Sequence, residues 1–292
     1  IYFVLGLSLI LSAVCQSSEN KQYAIINTTA ANLREKPSHK SELLDQEIMG
    51  YSVKLLNKKD NWHLVETEYG YKGWTTESSF YAVDCNELEA WKKCPKVRVK
   101  AVLATVYSQP KEKSVPVASV GMNTLLKNME VKFGSWIKTA LPDGRIGYIK
   151  KKDCVDYVKI KLSRQQLAQS IVDTAKMMMG VGYLWGGKSS FANDCSGFTS
   201  TVFRANGISI PRDSYMQALE GREVAADADF SNVQPGDLLF FGSDKISHVA
   251  ISLGGKEYIH QSGDVHISSL DPNSPNYNEQ NHRKLKTIRR FF

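Results

Sequence analysis

The sequence contains few cysteines, no apolar run long enough to cross a bilayer, and no spacing typical of a zinc finger. Five cysteines among 292 residues are too few for a disulfide scaffold, so the fold must depend on apolar cores. Cys85 and Cys94 flank a short segment, but the sequence leaves their pairing and that of Cys154 open. The apolar run of residues 1–14 is shorter than the roughly 20 residues of a membrane-spanning helix.

The chain also lacks an acidic excess, since 37 Lys and Arg stand against 30 Asp and Glu, a formal net charge of +7. Such a charge fits an anionic partner, for example a cell-wall polymer, a membrane surface or nucleic acid. Because no Arg-rich helix is present, we expect no nucleic-acid partner, and a solvated basic surface is the simpler explanation. A hydrophobic content of 42% indicates a globular chain of two or three domains.

Residues 1–21 have the pattern of a targeting segment. An apolar stretch followed by polar residues is typical of a signal peptide, and Ala13 fits the small-residue position before a cleavage site after Cys15. Residues 11–15 also resemble a bacterial lipoprotein signal, in which Cys15 would carry the lipid. Both alternatives predict an exported protein, periplasmic or at the cell surface, without a transmembrane span.

Residues 22–158 contain an internal repeat. Short runs of strand-forming residues separated by turn signals predict small β-barrels. In each copy an aromatic residue follows a tryptophan by twelve positions, as Trp74 follows Trp62 and Tyr148 follows Trp136. These rings are candidates for a binding surface, or they simply belong to the core of each barrel.

The repeat defines the boundaries of the first part of the chain. We predict barrels at residues 22–83 and 96–158, joined by a helical linker at residues 84–95. The pattern of strand, tryptophan, strand and Gly-Tyr-x-Gly-Trp resembles bacterial SH3-like domains, more loosely in the second copy. In that family such domains bind cell-wall peptides or pack beside a catalytic domain.

Residues 159–292 combine helices with a later antiparallel sheet. A capping box at residues 163–166 begins a helix that Gly180 ends. A second helix is predicted to begin at Cys195, and strand-like runs follow from Leu238 onward. This order of helices before strands indicates an α+β domain.

Cys195 is the first candidate for chemistry. Asn193 and Asp194 are good helix-capping residues, which places Cys195 at the N-terminus of its helix. Free backbone N–H groups and the positive end of the helix dipole would stabilise a thiolate there, so we expect a lowered thiol pKa. The alternative is an inert cysteine that packs as a small apolar residue.

Two histidines lie on strands that a short turn joins into a hairpin. His248 would take the thiol proton as a general base, and His260 would orient the ring of His248. A Cys/His metal site is the alternative, but the spacing matches no zinc pattern and no second cysteine is near Cys195 in the sequence. We therefore expect no metal and no cofactor.

Several short motifs in this region occur together and in order. They are Tyr183-x-Trp-Gly-Gly, Asp194-Cys195-Ser196-Gly197-Phe198, Pro211-Arg212-Asp213-Ser214, Gln234-Pro235-Gly236-Asp237-Leu238, Ser247-His248-Val249-Ala250-Ile251 and Ile259-His260-Gln261-Ser262-Gly263. With these motifs the C-terminal part resembles the NlpC-type cell-wall cysteine peptidases. The resemblance implies a papain-like α+β fold preceded by two SH3-like barrels.

The resemblance also implies a substrate. Pro-Arg-Asp-Ser followed by Gln217 is similar to the branch that cleaves γ-D-glutamyl-L-diamino acid bonds in peptidoglycan stem peptides with a free N-terminal L-alanine. In that branch the aspartate matching Asp213 binds the α-ammonium group of the alanine. The alternative is that Asp213 only caps a loop. The other residues implied or suggested for the pocket are Tyr183, Asp194 and Ser196, with Tyr71 and Glu47 from the first barrel.

These features predict an exported monomeric cysteine endopeptidase that acts on muropeptides and other peptidoglycan fragments through a thioester. One alternative is a peptidoglycan-binding protein whose peptidase domain is inactive or secondary. A second alternative is an amidase or transferase that acts on another acyl substrate.

Overall fold

The computed structural model describes residues 21–158 and 162–292. The predicted signal peptide and the lipid attachment at Cys15 lie outside the described residues. Within these two ranges, no helix is both long and apolar enough to cross a membrane.

The first β-module, residues 22–83, is a seven-stranded antiparallel sheet that curves around a small apolar core. Its strands β1 to β7 are Tyr23–Ile26, Ala30–Arg34, Leu43–Ile48, Ser52–Lys59, Trp62–Thr67, Lys72–Thr76 and Phe80–Val83. Their order in the sheet is β3-β2-β6-β5-β4-β1-β7. Alternate side chains point inward, so that Leu33, Val53 and Val65 form part of the core.

The second β-module, residues 96–158, repeats this fold. Its strands β8 to β14 are Lys96–Val99, Leu103–Tyr107, Pro116–Gly121, Leu125–Phe133, Trp136–Ala140, Ile146–Lys150 and Cys154–Asp156. Their order is β10-β9-β13-β12-β11-β8-β14, which is the order of the first module with every number raised by seven. Trp62 and Trp136 occupy equivalent places and are both buried. The sequence repeat therefore corresponds to a repeat in the fold.

A short helix connects the two β-modules. Helix α1, Cys85–Lys93, begins with a capping box in which Asp84 and Glu87 bond to each other's backbone N–H groups. Leu88 packs against Ile25 and Val83 of the first module. The linker is therefore fixed to the first module by apolar contacts.

The C-terminal module, residues 162–292, packs helices on one antiparallel sheet. The helices α2 to α5 are Arg164–Met177, Cys195–Ala205, Ser214–Gln217 and Glu279–Lys284. The strands β15 to β20 are Arg222–Glu223, Leu238–Phe241, His248–Gly254, Glu257–Ser262, Asp264–Ser269 and Leu285–Arg290. The sheet order is β15-β20-β16-β17-β18-β19, and all its pairings are antiparallel.

The main core of this module lies between α2, α3 and the sheet. Ile171 of α2 and Phe198 of α3 meet Phe240 and Val249 of the strands, and all four are inaccessible to solvent. The predicted capping box of α2 is present, with Ser163 and Gln166 as its two members. This packing holds the first residue of α3 against the strand that begins at His248.

The cysteines of the described chain do not include a Cys85–Cys94 pair. Cys94, Cys154 and Cys195 carry free thiols. The pairing of Cys85 with Cys94, which the sequence left open, is therefore not formed.

Candidate active site

Cys195 is the first residue of α3, as the capping pattern predicts. The carboxylate of Asp194 accepts a hydrogen bond from the backbone N–H of Gly197 at 2.7 Å and caps the helix. The thiol is partly exposed. The backbone N–H groups of Val249 and Ser196 lower the thiol pKa, and Cys195 packs against the core cluster that contains Val249. The sulfur therefore lies beside the strand residue that directly follows His248.

Two glycines permit the chain to pack closely here. A Cβ atom at position 197 would lie 2.0 Å from the carbonyl oxygen of Gly187, so only glycine fits at this turn of α3. Gly186 has a φ of +75°, and a Cβ there would lie 2.1 Å from the carbonyl oxygen of Leu43 in the first β-module. The glycines of both motifs thus bring α3, its preceding loop and the first module together.

The two predicted histidines are hydrogen-bonded to each other. Nε2 of His248 lies 2.8 Å from Nδ1 of His260. Residue 260 pairs across the hairpin with Ala250, which places the two rings on the same face of the sheet. The structure thus brings Cys195, the strand position of His248 and the ring of His260 together.

The hydrogen bonds continue beyond His260 to residues that the sequence did not indicate. Nε2 of His260 lies 3.1 Å from Oγ of Ser268, which is buried on the next strand. Ser268 also pairs across the strands with Tyr258, whose phenol accepts a hydrogen bond from the amide of Asn281 at 3.0 Å. Cross-strand pairing creates this chain, and no short sequence motif marks it.

The expectation of a lowered thiol pKa is wrong. Burial, followed by the nearby Asp194 carboxylate, raises the pKa of Cys195 to about 11. The N–H groups of Val249 and Ser196 lower it by less, because the cost of removing a thiolate from water exceeds what these donors contribute. The thiol is therefore neutral before reaction.

Both histidines are also neutral at ordinary pH. Burial lowers the pKa of His248 to about 4, and burial and the neighbouring His248 and His266 lower the pKa of His260 to about 3. The ring of His266 packs against that of His260 with centroids 4.5 Å apart. A neutral His248 can accept a proton, as a general base must.

Asp213 stands at the start of α4 but does not cap it. Its backbone takes the capping position, while its side chain makes no capping hydrogen bond. Within residues 21–158 and 162–292, no hydrogen bond or ion pair is found for this carboxylate. Partial burial raises its pKa. A half-buried carboxylate without a partner argues against the loop-cap alternative and leaves the charge available to a ligand.

The charged groups of the site influence both predicted tyrosines. The pKa of Tyr71, raised to about 12 by burial, also responds to the charges of Asp213 and Arg212. The pKa of Tyr183, raised to about 12 by burial, responds to Cys195 and Asp194. The structure thus places Tyr71 near Asp213 and Tyr183 near the thiol.

Asp194 and Ser196 differ from their expected role as open pocket residues. Both are buried, and the carboxylate of Asp194 receives the Arg212 guanidinium at 2.7 Å and the backbone N–H of Gly186 at 2.9 Å. The hydroxyl of Ser196 lies between Asp194 and Arg212 at 3.2 and 3.0 Å. Their polar groups bond to other side chains of the protein, so these two residues support the site and are not open to a ligand.

The suggestion that Glu47 lies in the pocket is wrong. Its buried carboxylate bonds to Arg204 at 2.6 Å, and Arg204 belongs to the last turn of α3. Nine residues of helix separate Arg204 from Cys195, which is about 13 Å at 1.5 Å per residue. The neighbouring Asp45, which the sequence did not single out, is the residue that reaches the site, since it bonds to Nε of Arg212 at 2.7 Å.

No group of three or more metal-binding side chains occurs in the described part of the chain. The site is thus a thiol with two imidazoles and a nearby carboxylate. Such a set can perform nucleophilic acyl chemistry by itself.

Two family models match this chain. Residues 180–285 match the NlpC/P60 family, and residues 29–79 match the bacterial SH3 domain. The first match includes the thiol and both histidines. The second lies within the first β-module.

Relatives are similar over most of the chain. The gamma-D-glutamyl-L-lysine dipeptidyl-peptidase of Bacillus cereus is 32% identical over 82% of this chain and 74% of its own length. Dipeptidyl-peptidase 6 of Lysinibacillus sphaericus is 29% identical over 88% of this chain and 94% of its own. The crystal structure of an NlpC/P60 family protein from Bacillus cereus has a TM-score of 0.76 at 29% identity, covering 92% of this chain and 99% of that one.

Proposed function

The chain belongs to the NlpC/P60 family, and we propose that it is a cysteine endopeptidase of peptidoglycan stem peptides. It cleaves the bond between γ-D-glutamate and the following L-diamino acid and releases L-Ala-D-Glu from substrates with a free N-terminal L-alanine. The observation that carries the proposal is that Cys195 packs against the cluster that contains Val249, the residue after His248, whose ring bonds to His260 at 2.8 Å. The relatives named for this activity support the substrate.

The reaction begins from two neutral groups. The Cys195 sulfur attacks the γ-carbonyl carbon of D-glutamate while its proton moves to Nδ1 of His248. The imidazolium then gives this proton to the leaving nitrogen of the diamino acid, and a thioester remains. Water attacks the thioester with His248 again as base, and the dipeptide leaves as a carboxylate. No metal ion or cofactor takes part in these steps.

The negative charge of the tetrahedral intermediates needs hydrogen-bond donors. Cys195 is the first helical residue, so its backbone N–H has no carbonyl acceptor within α3. A donor in this position is typically worth about 3 to 4 kcal/mol in the transition state.

For Nδ1 of His248 to accept the thiol proton, its Nε2 must carry the ring hydrogen. That hydrogen is donated to Nδ1 of His260, so Nε2 of His260 carries a hydrogen and donates it to Oγ of Ser268. Ser268 is therefore a positioning residue that selects the tautomers of both rings.

Specificity for a free amine comes from Asp213. Its unpartnered carboxylate would bind the α-ammonium group of L-alanine, and Tyr71 of the first β-module would close the pocket on this side. An acylated N-terminus would leave the carboxylate without a cation, which is costly in a partly desolvated site. The substrate also implies action outside the cytoplasm, where peptidoglycan lies. We further propose that the protein is a monomer and that its second β-module is SH3-like, as the first is.

The test is digestion of L-Ala-γ-D-Glu-L-Lys, followed by mass spectrometry of the products. Cys195→Ala should abolish release of L-Ala-D-Glu, because the attacking sulfur is removed. Cys154→Ala is the matched control, since that free thiol lies buried in the second module, and it should retain full activity. Undiminished turnover by Cys195→Ala would contradict the proposal. Binding without release by the unaltered protein would favour the non-catalytic alternative.

A further inference from the structure

The second β-module carries a positive charge as large as the net charge of the whole chain. Residues 96–158 contain 12 Lys and Arg against 5 Asp and Glu, a formal net charge of +7. Residues 22–83 contain 7 against 8, a formal net charge of −1. Two modules of the same fold therefore differ by eight charges, so the fold itself does not require the basic residues.

One outward face of the second module combines lysines with aromatic rings. In β12 and β13, Trp136 pairs with Lys150 and Lys138 pairs with Tyr148, so the four side chains share a face. The ring of Tyr148 contacts exposed Phe133 edge-on, with centroids 5.4 Å apart. The opposite face points into the core through residues such as Ile149, which is fully buried.

A groove of about 410 Å³ lies at one end of this face. The residues that line it are Lys111, Glu112, Ser135, Trp136, Lys150 and Lys152. The ammonium group of Lys150 lies 5.8 Å from the centre of the Trp136 ring. Three lysines thus line a groove whose wall includes the largely buried indole of Trp136.

The first module provides an internal comparison for this face. When positions are counted from Trp62 in the first module and from Trp136 in the second, Lys138, Lys150 and Lys152 correspond to Leu64, Thr76 and Ser78. The strand order and the tryptophan are the same in both modules. At these three positions only the second module carries cations, so the shared fold does not explain them.

We propose that this face is a docking surface for a phosphate-bearing glycan polymer of the cell wall. Phosphodiester groups repeated along a chain bind several lysines at once and release counterions, which is the physical basis of polyanion binding. Sugar rings pack against aromatic rings such as Tyr148 and Phe133. The choice of a wall polymer over nucleic acid rests on the proposed function, and binding here would keep the peptidase near its substrate.

One acidic residue in the groove gives the proposal a second, opposite test. The carboxylate of Glu112 is exposed and forms an ion pair with Lys150. This carboxylate competes with a phosphate for the same ammonium group. Removing its charge should therefore strengthen binding.

The experiment measures binding of the whole protein to poly(ribitol phosphate) that carries N-acetylglucosamine, by calorimetry at several salt concentrations. The triple variant Lys138→Gln, Lys150→Thr and Lys152→Ser should bind about ten to a hundred times more weakly, with a smaller salt dependence. Glu112→Gln should bind more tightly. The matched control for the lysine variant is Lys54→Gln, Lys58→Gln and Lys59→Gln together, which removes the same charge from exposed positions of the first module. The matched control for Glu112→Gln is Glu66→Gln, whose carboxylate pairs with Lys72 at 3.4 Å. Neither control should change the affinity.

Equal losses in the two lysine triples would overturn the proposal, because they would show a general charge effect. The proposal would also be overturned if an uncharged N-acetylglucosamine oligomer bound as tightly as the polymer. Binding of single-stranded DNA instead of the polymer would overturn it as well. The lysine triple should still digest a short soluble stem peptide at the original rate. Failure of binding and failure of the proposed hydrolysis are thus distinguishable.

Discussion

At the scale of single residues, the proposed role of Asp213 is to select substrates with a free N-terminal amine. We predict that Asp213→Asn raises KM for L-Ala-γ-D-Glu-L-Lys by about tenfold or more, since a charged hydrogen bond in a desolvated site is lost. The N-acetylated substrate, which has no cation to lose, should be affected little. Asp60→Asn, at an exposed position of the first module, is the matched control for loss of one negative charge. Equal losses with both substrates would contradict the role.

The same residue gives a pH dependence with a defined sign. Because burial raises the pKa of Asp213, its carboxylate becomes neutral at a higher pH than a free aspartate. The KM for the free-amine substrate should therefore rise as the pH falls through this pKa. Burial lowers the pKa of His248 to about 4, so kcat should fall only as the pH approaches that value.

Ser268 offers a test of tautomer control. We predict that Ser268→Ala lowers kcat by about tenfold or more with KM unchanged, because His260 loses the acceptor that fixes its ring hydrogen. Ser268→Thr, which keeps the hydroxyl, should recover much of the rate. Ser252→Ala is the control, since it removes a buried hydroxyl from the same sheet, where Ser252 caps only the N–H of Gly254. A change in KM alone, or equal effects of both alanines, would mean that Ser268 acts only on folding.

Some properties of these residues could not be predicted from the sequence. The cap at Asp194 follows from the capping residues before Cys195. The proximity of Cys195 to His248 follows from the order of the short motifs along the chain. The pKa of the thiol does not, because it depends on burial by residues far apart in the chain. Ser268 was missed for the same reason, since its contact with His260 exists only through the register of β18 and β19.

At the scale of elements, the start of α3 depends on the absence of a side chain at one position. We predict that Gly197→Ala lowers the melting temperature by several degrees and reduces kcat, because its Cβ would lie 2.0 Å from the Gly187 oxygen and push Cys195 out of place. Gly182→Ala is the matched control, since a Cβ there meets no atom within 4 Å. The measurement is thermal unfolding of both variants. Equal melting temperatures would contradict the close approach of Gly197 to the Gly187 oxygen.

The elements themselves follow well from the sequence where they are long. The helix that begins after Ser163 and the strands near Leu238, His248, Glu257 and Val265 are confirmed. The two-residue strand Arg222–Glu223 and the single-turn helix Ser214–Gln217 were not predicted, because neither has enough residues for a periodic pattern. Tertiary contacts, such as those of buried Gln217 with Thr199 and Pro211, define α4 instead.

At the scale of the whole molecule, the three modules contact one another through polar groups that no local pattern links. Ser190 of the C-terminal module receives the backbone N–H of Met122, and Asn123 donates to the carbonyl of Thr201. The first module contributes Asp45, whose side chain is fully buried. The sequence repeat could predict the two β-modules, but their docking depends on side chains that meet across more than 60 residues.

Asp45 is the connection between the first β-module and the active site. Its carboxylate bonds to Arg212 at 2.7 Å and to Lys188 at 3.2 Å, and Arg212 in turn holds Asp194, the cap of α3. Removing one partner of a buried ion pair leaves the other charges uncompensated, at a cost of about 3 to 5 kcal/mol. The first module therefore helps to fix the helix that presents Cys195.

We accordingly predict that Asp45→Asn destabilises this interface and lowers kcat/KM without any change at the catalytic residues. Hydrogen exchange should be faster at the backbone N–H groups of Gly186 and Gly197, because both donate to the Asp194 carboxylate that Arg212 steadies. Glu66→Gln, which breaks a surface pair with Lys72, should change neither quantity, because exposed ion pairs contribute at most about 1 kcal/mol. If the two amides exchange at the original rate in Asp45→Asn, the first module does not support the helix, and its contact with the site serves only to enclose the substrate.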